Sequence, residues 1–396
     1  MPVLLAALGA LLMSLDSAIN IVLPAMADAF GLPAAAIRWV IICYVLTYAL
    51  TAFAAGVLAD RLGPGPVFTA GLWICGVAFL GYTVAHAYGI VLLLRVLQGL
   101  GGGLVYGTAP ALVTLSLPRE RHGRGLGIMS FGLGVGLGVG PIIGGLLLAA
   151  FGWSATFLFR APLFLAVAVL AQTRLRDLGS APARPRRIVA GDVLRLPVLR
   201  AAGLAFLSNY AQFAVWLLVP FYLVGARGLS PSLGGVVFTL TPLGSALVAP
   251  LGGLFTDRVG PRWPLLGGLT LELVGLLAIA HLTAHTPLPV VGVAMALVGV
   301  GVGLFQVPNL AQMMAAFPAA QQGVAGGLGF LGRTLGSAVG VQVTAALFDA
   351  RLLREGFMPA FEHAFLGAGL ICALALVLAL TPGAAARPAG SLPGAR

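Results

Sequence analysis

The sequence predicts an all-α membrane protein built from two related six-helix halves, and three observations carry that prediction. Hydrophobic residues make up 60% of the 396-residue chain, charged residues only 8%, and the mean hydropathy is +1.05. Folded soluble proteins keep a polar, charged skin, so the solvent for most of this surface must be lipid. The apolar residues fall into twelve runs, each close to the ~20 residues that a spanning helix needs. Gly56-Val-Leu-Ala-Asp60-Arg61-Leu-Gly63 returns 197 residues later as Gly253-Leu-Phe-Thr-Asp257-Arg258-Val-Gly260, again at the end of an apolar run. A membrane chain that repeats itself once per half points to a transporter.

The runs lie near 3–27, 36–59, 66–85, 88–115, 123–150, 154–173, 200–224, 231–255, 262–282, 287–314, 323–348 and 360–381, helices 1 to 12 in order. The short alternating segments of a barrel are absent. Helix 1 carries Asp16 with Asn20 four residues on, sharing one face. Asp16 sits ~20 Å along the helix at 1.5 Å per residue. Ionisable groups inside a membrane are costly and are functional candidates; the others are Arg95 in helix 4, Arg160 in helix 6, Glu272 in helix 9 and Arg333 in helix 11. Low dielectric disfavours the charged form of a carboxylate, which suits such a group to exchanging protons. Two readings of Asp16 stand side by side: a proton carrier, or a fixed ion pair with Arg95 or Arg333. Glu272 is either a second protonation site or a hydrogen-bond partner for a neighbouring helix.

Helices 2 and 8 end in the two copies of the repeat, with Gly56, Asp60, Arg61 and Gly63 in one and Gly253, Asp257, Arg258 and Gly260 in the other. Helix 5 is glycine-rich, with Gly127, Gly136, Gly140, Pro141, Gly144 and Gly145. No strand precedes it, so it is no dinucleotide loop. Glycines four apart let helix backbones approach closely, and Pro141 removes a backbone hydrogen bond and can kink the helix. Helix 7 presents Asn209, Gln212 and Trp216, and helix 10 presents Gln306, Asn309 and Met313, each at i, i+3, i+7. Such faces suit a broad, adaptable pocket or ordinary interhelical hydrogen bonding. Pro308 is expected to break helix 10. His281 and His285 have i, i+4 spacing but no adjacent glutamate, and read as a hydrated helix end rather than a metal site.

All 22 basic residues are arginine. With a cytoplasmic N-terminus, fifteen fall in cytoplasmic loops or the tail, four (Arg38, Arg227, Arg351, Arg354) outside, and three inside helices. That asymmetry places both termini inside, and accounts for the net charge of +11 without nucleic acid. The three cysteines each sit within an apolar run and form neither a disulfide framework nor a metal spacing. Residues 1–27 lack a basic n-region and do not read as a cleavable signal. The polar stretch Thr173 to Arg200 holds seven arginines and two aspartates. The expected division is therefore 1–173 and 200–381 as two six-helix bundles, 174–199 as a cytoplasmic linker, and 382–396 as a disordered tail.

These motifs together resemble the major facilitator superfamily over nearly the whole chain. Gly56–Gly63 resembles its loop 2–3 signature and Gly253–Gly260 the second-half echo. Arg95-Val-Leu-Gln98-Gly99-Leu-Gly101 resembles the helix 4 signature associated with proton coupling, and Gly127 through Gly145 the helix 5 signature of antiporters. Leu15-Asp16-Ser-Ala-Ile19-Asn20-Ile-Val-Leu-Pro24, and Gly323 to Gly340 around Arg333, are similar to the drug:proton antiporters usually built with fourteen helices. This chain departs from them in having twelve. Phe-Arg160-Ala-Pro replaces the more usual asparagine in helix 6, and no basic residues follow Gly63.

The resemblance implies a major facilitator fold and proton-coupled export of small, amphipathic, drug-like molecules across the inner (plasma) membrane by alternating access. Asp16, Arg95, Glu272 and Arg333 would couple protons. Asn20, Gln98, Arg160, Asn209, Gln212, Trp216, Gln306 and Asn309 would line the substrate cavity. Asp60 would lock the cytoplasmic side against the N-terminus of helix 11 near Gln322 and Gly323, with the two latches unequal because only the second keeps a trailing Arg262. The expected partners are a small-molecule substrate, protons and the lipid bilayer, with no nucleic acid and no cofactor, and the chain is expected to work as a monomer. An importer or facilitator of a metabolite on the same fold is the alternative. A polytopic enzyme is disfavoured, because no His-Glu-x-x-His, Gly-x-Ser-x-Gly or paired-aspartate motif stands in the chain.

Overall fold

The structure, a computed structural model, describes residues 1–32, 34–37, 39–175 and 190–381, apart from the side chains of Asn20, Ala34, Ala35, Ala190, Pro231 and Ser232. Most of the expected linker, the whole expected tail, Arg38 and the side chain of Asn20 therefore lie outside it. Among the described residues the only regular secondary structure is helical. Eleven helices among the described residues are long and apolar enough to cross a membrane, and a bent pair, taken as one span, makes the twelfth.

The first span, α1, is that pair: Pro2–Ser14, a 3₁₀ turn at Leu15–Ala18, and Ile19–Phe30, with its axis turned by 56°. The sequence suggested one uninterrupted helix. Three side chains explain the break. The Ser14 hydroxyl donates back to the carbonyls of Ala10 and Leu11, and Ser17 donates across to the Leu137 carbonyl at 3.1 Å. Such back-bonding bends helices, and Pro24 removes the next intrahelical bond. The remaining spans are α2 (Trp39–Leu62), α3 (Pro64–Leu80), α4 (Tyr88–Leu115), α5 (His122–Phe151), α6 (Arg160–Arg174), α7 (Leu196–Pro220), α8 (Leu240–Val259), α9 (Arg262–Ala280), α10 (Leu288–Ala315), α11 (Gln322–Glu355) and α12 (Phe357–Leu380). A π-turn, Phe221–Ala226, extends α7 beyond Pro220, and a short helix, Pro231–Phe238, leads into α8. Contrary to the sequence expectation, Pro308 does not break α10, which runs through it. One lost backbone bond is tolerated where neighbouring helices hold the segment.

Glycine sets the closest packing. A Cβ on Gly132, Gly136, Gly140 or Gly144 of α5 would strike the α1 segment from Ala7 to Ala18. A Cβ on Gly336 or Gly340 of α11 would strike α7 at Phe206 and Tyr210 in the same way, and one on Gly332 would press on Ala202. On their other faces, Gly127 of α5 meets Ala249 and Pro250 of α8, and Gly327 of α11 meets Ala52 and Phe53 of α2. So α5 and α11 each bridge a helix of their own half and one of the other half. The five glycines 123, 127, 132, 136 and 140 recur 200 residues later at 323, 327, 332, 336 and 340.

Two main apolar cores result among the described residues, beside a small cluster of Ala55, Ala59 and Val67. One is drawn wholly from residues between Leu204 and Ala379. The other is centred on the first half and takes in Val307, Met313, Phe317, Val324 and Phe330 of the second. The halves are thus joined by apolar packing around the N-terminal end of α11.

Candidate functional site

Asp16 lies in the 3₁₀ turn of α1, where the helix breaks. Its carboxylate is held by two guanidiniums. Arg95 donates from Nη1 to Oδ1 and from Nη2 to Oδ2, both at 2.8 Å, and Arg160 donates from Nη1 to Oδ1, also at 2.8 Å. Arg95 also bonds the Val40 carbonyl and the Gln98 side-chain oxygen, each at 2.8 Å, and lies over the Tyr44 ring at 4.4 Å. Both arginines are fully buried, whereas the Asp16 side chain keeps 12% of its surface open. Burying two cations is costly, and one carboxylate compensates one of them, so the cluster carries net positive charge. The ion pair with Arg333 that the sequence left open does not form; Arg333 belongs to a different part of the site.

That site is a cavity of about 280 Å³ between the halves, whose wall includes Asp16, Arg95, Asn209, Gln212, Trp216, Gln306 and Arg333. One stretch of its wall is aromatic and crosses from the first half into α11 of the second. Tyr44, Tyr48, Tyr106 and Phe330 follow one another with ring centroids 5.2, 5.9 and 5.0 Å apart, and the Arg333 guanidinium lies over Phe330 at 5.4 Å. Trp216 stands on Phe213 and Phe238 across the cavity. The sequence reading missed the tyrosines. Their signal is faint: Tyr44 and Tyr48 sit four apart on α2, and Tyr106 lies three turns beyond Arg95 on α4.

Three residues expected on the wall are not part of it. Arg160 is on the back of Asp16. Gln98 is buried beneath Arg95, and Asn309 donates to the Ala201 carbonyl at 3.1 Å. Glu272 is fully buried in α9, away from the cavity; one oxygen accepts from the Ser208 hydroxyl at 2.8 Å and the other has no partner among the described residues. His281 sits at the exposed end of α9, 3.5 Å from Glu362, and the described residues contain no cluster able to hold a metal.

At the face where α2 and α8 end, the two copies of the repeat make matching contacts. Asp60 accepts from the backbone N–H groups of Gly323 and Val324 at 2.7 and 3.1 Å. Asp257 accepts from those of Gly123 and Arg124 at 2.7 and 2.9 Å. Each carboxylate thus caps the unsatisfied donors at the N-terminus of a helix from the other half, where the helix dipole favours negative charge. Gly56 and Gly253 allow this: a Cβ on either would strike the backbone of Gly323 or Gly123. Gly63 and Gly260 end the two helices with φ of +89° and +83°, which side-chain-bearing residues rarely adopt. Arg61 and Arg258 are not buried and make no ion pair among the described residues. The two latches differ in one respect that does not involve Arg262: Arg124 Nε lies 3.9 Å from Asp257 Oδ2, whereas Asp60 has no ion pair among the described residues. The same face gains one contact the sequence did not suggest: Gln321, just before α11, donates to Asp192 at 3.3 Å.

A cavity within a bundle of apolar spans, lined by charge and aromatic rings, with its halves bridged on one face by two carboxylates, is the site of a transporter and not of an enzyme. The family model of the Major Facilitator Superfamily matches the chain twice, over residues 5–200 and 201–395. The chain belongs to that superfamily. It is 24% identical to the riboflavin transporter RibZ of Clostridioides difficile (strain 630), over 94% of each chain. It is 29% identical to the tetracenomycin C resistance and export protein of Streptomyces glaucescens, over 89% of this chain and 76% of that one. The fold also matches the solved structure of the proton:xylose symporter XylE, with TM-score 0.75, 15% identity, and coverage of 95% and 94%.

Proposed function

We propose that this chain is a proton-coupled exporter of small, amphipathic, aromatic molecules in the plasma membrane, with both termini cytoplasmic. The observation that carries the reading is Asp16: a carboxylate at a helix break, on the wall of the central cavity, held by two buried arginines. A proton arriving on Asp16 removes the charge that both guanidiniums bind. The ion pairs then lose their attraction, and α1, already broken at this point, is free to move against the glycine face of α5. Arg95 and Arg160 thereby convert a protonation event into a displacement. The antiporter-like helix 5 signature and the relationship to a tetracenomycin C resistance and export protein support the direction of transport. With both latches engaged, the cytoplasmic face is closed, as in the outward-facing state of an alternating-access cycle. Glu272, with one unpartnered oxygen, is a second place for a proton.

The test is efflux from proteoliposomes under an imposed pH gradient. Asp16→Asn is expected to abolish gradient-driven transport while leaving gradient-free substrate exchange in place; undiminished driven transport would remove Asp16 from the mechanism. A metabolite carrier on the same fold is the second reading, favoured by the 24% identity to a riboflavin transporter. Net accumulation of cargo by cells expressing the chain, rather than depletion, would decide for it.

A further inference from the structure

We infer that the cargo is an organic anion: a compact molecule with an aromatic ring system and one ionised acidic group, which Arg333 binds. The inference rests on the central cavity being the transport site and adds the chemical class it accepts.

Charge comes first. Among the described residues of the cavity wall, Asp16 is the only carboxylate. Both of its oxygens are already occupied, by Arg95 and Arg160. It can offer little to a cationic cargo unless those bonds break. Arg333 has no such counter-ion: it forms no salt bridge within 4.0 Å and donates no side-chain hydrogen bond to any described residue. One carboxylate against Arg95, Arg160 and Arg333 leaves an excess of two positive charges. A guanidinium in a low-dielectric setting is stabilised by an anion, and its planar fork matches a carboxylate in a two-point contact.

Shape comes second. The guanidinium of Arg333 lies at the end of the aromatic series, over Phe330, with Tyr106, Tyr48 and Tyr44 leading away from it. A flat ring system laid along that series would place an acidic substituent at Arg333. On α7 and α10, the side chains of Gln212 and Gln306 have no hydrogen-bond partner among the described residues and line the same cavity. They supply neutral donors and acceptors for oxygen or nitrogen atoms elsewhere on the ring. A volume of about 280 Å³ suits two or three fused rings rather than a large macrocycle.

The experiment measures binding to the purified full chain, with no gradient, for a series of one- to three-ring aromatic carboxylates. Each is paired with its neutral amide and its aminomethyl (cationic) counterpart; 2-naphthoate with 2-naphthamide and 2-naphthylmethylamine is the central set. The carboxylates are expected to bind about tenfold or more tighter than the amides, the margin of a charge-assisted contact, with the cations weakest. Arg333→Gln should erase the carboxylate preference while leaving amide affinity within about twofold, and Arg333→Lys should restore part of it. If no carboxylate in the series binds, if amide or cation binds as well as the acid, or if Arg333→Gln keeps the preference, the inference is overturned. Proton-driven efflux of a neutral or cationic compound alongside such a result would leave the export reading intact. Carboxylate binding with no driven efflux would do the opposite, sparing the anion site and removing the exporter.

Discussion

At the scale of single residues, the charge cluster ranks its own members. Removing Asp16 leaves two buried guanidiniums facing each other without a counter-ion. Removing Arg160 leaves Asp16 still held at two points by Arg95. Asp16→Ala is therefore expected to cost about 3–5 kcal/mol, the usual penalty for breaking a buried pair, and Arg160→Met clearly less. Thermal unfolding in detergent gives the order, and a larger loss for Arg160→Met would contradict it. The sequence supplied these residues but not their partners. Asp16, Arg95 and Arg160 were each legible because an ionisable side chain within an apolar run stands out. That Arg160 lies on Asp16 and Arg333 does not depends on how α6 and α11 are rotated about their axes, which the long apolar runs leave unmarked because most of their faces are equally apolar. Tyr44, Tyr48 and Tyr106 escaped notice for the opposite reason: a tyrosine in a membrane helix is ordinary until its neighbours are known.

At the scale of elements, the interest lies in α5 and α11. The antiporter-like glycine spacing of α5 was legible, and its use against α1 is what glycines four apart imply. The recurrence of all five glycines in α11 was equally present in the text, but α11 reads as less apolar, carries Arg333 and Thr334, and does not advertise a packing face. Because Gly336 meets the Phe206 carbonyl much as Gly136 meets that of Leu11, Gly336→Val is expected to impair transport as severely as Gly136→Val. Transport by the two variants at matched expression provides the comparison, and a silent Gly336→Val would show that only the first-half contact matters. The latches allow a similar comparison. Both aspartates accept two N–H bonds of nearly equal length, and hydrogen bonds to a charged group contribute about 1.5–3 kcal/mol. Asp60→Asn and Asp257→Asn should therefore weaken closure of their face to a similar degree, within a factor of about three in cysteine-labelling rate from that side, on the scale where about 1.4 kcal/mol is tenfold. A tenfold disparity would restore the inequality that the trailing Arg262 suggested.

For the whole molecule, apolar runs and a repeated signature were enough to place twelve spans, because lipid forces backbone polar groups to be satisfied within each helix. They could not say which face is closed, since that is a matter of how the two halves meet. The positive cavity carries a prediction at this scale. Exchanging one proton inward for one monovalent anion outward moves two charges in the same electrical direction, and each is worth about 2.3 kcal/mol per 100 mV. Efflux of a carboxylate cargo from proteoliposomes should accelerate when the interior is made negative with potassium and valinomycin. One-for-one exchange with a cation would be indifferent to that voltage. The two latches have a further consequence. They join the halves at two separate points on one face, α2 to α11 and α8 to α5, so undoing one leaves the other as a pivot. The closed face is expected to behave as a door with two locks: releasing either one loosens it and lets it swing on the other, and only releasing both lets it stand fully open.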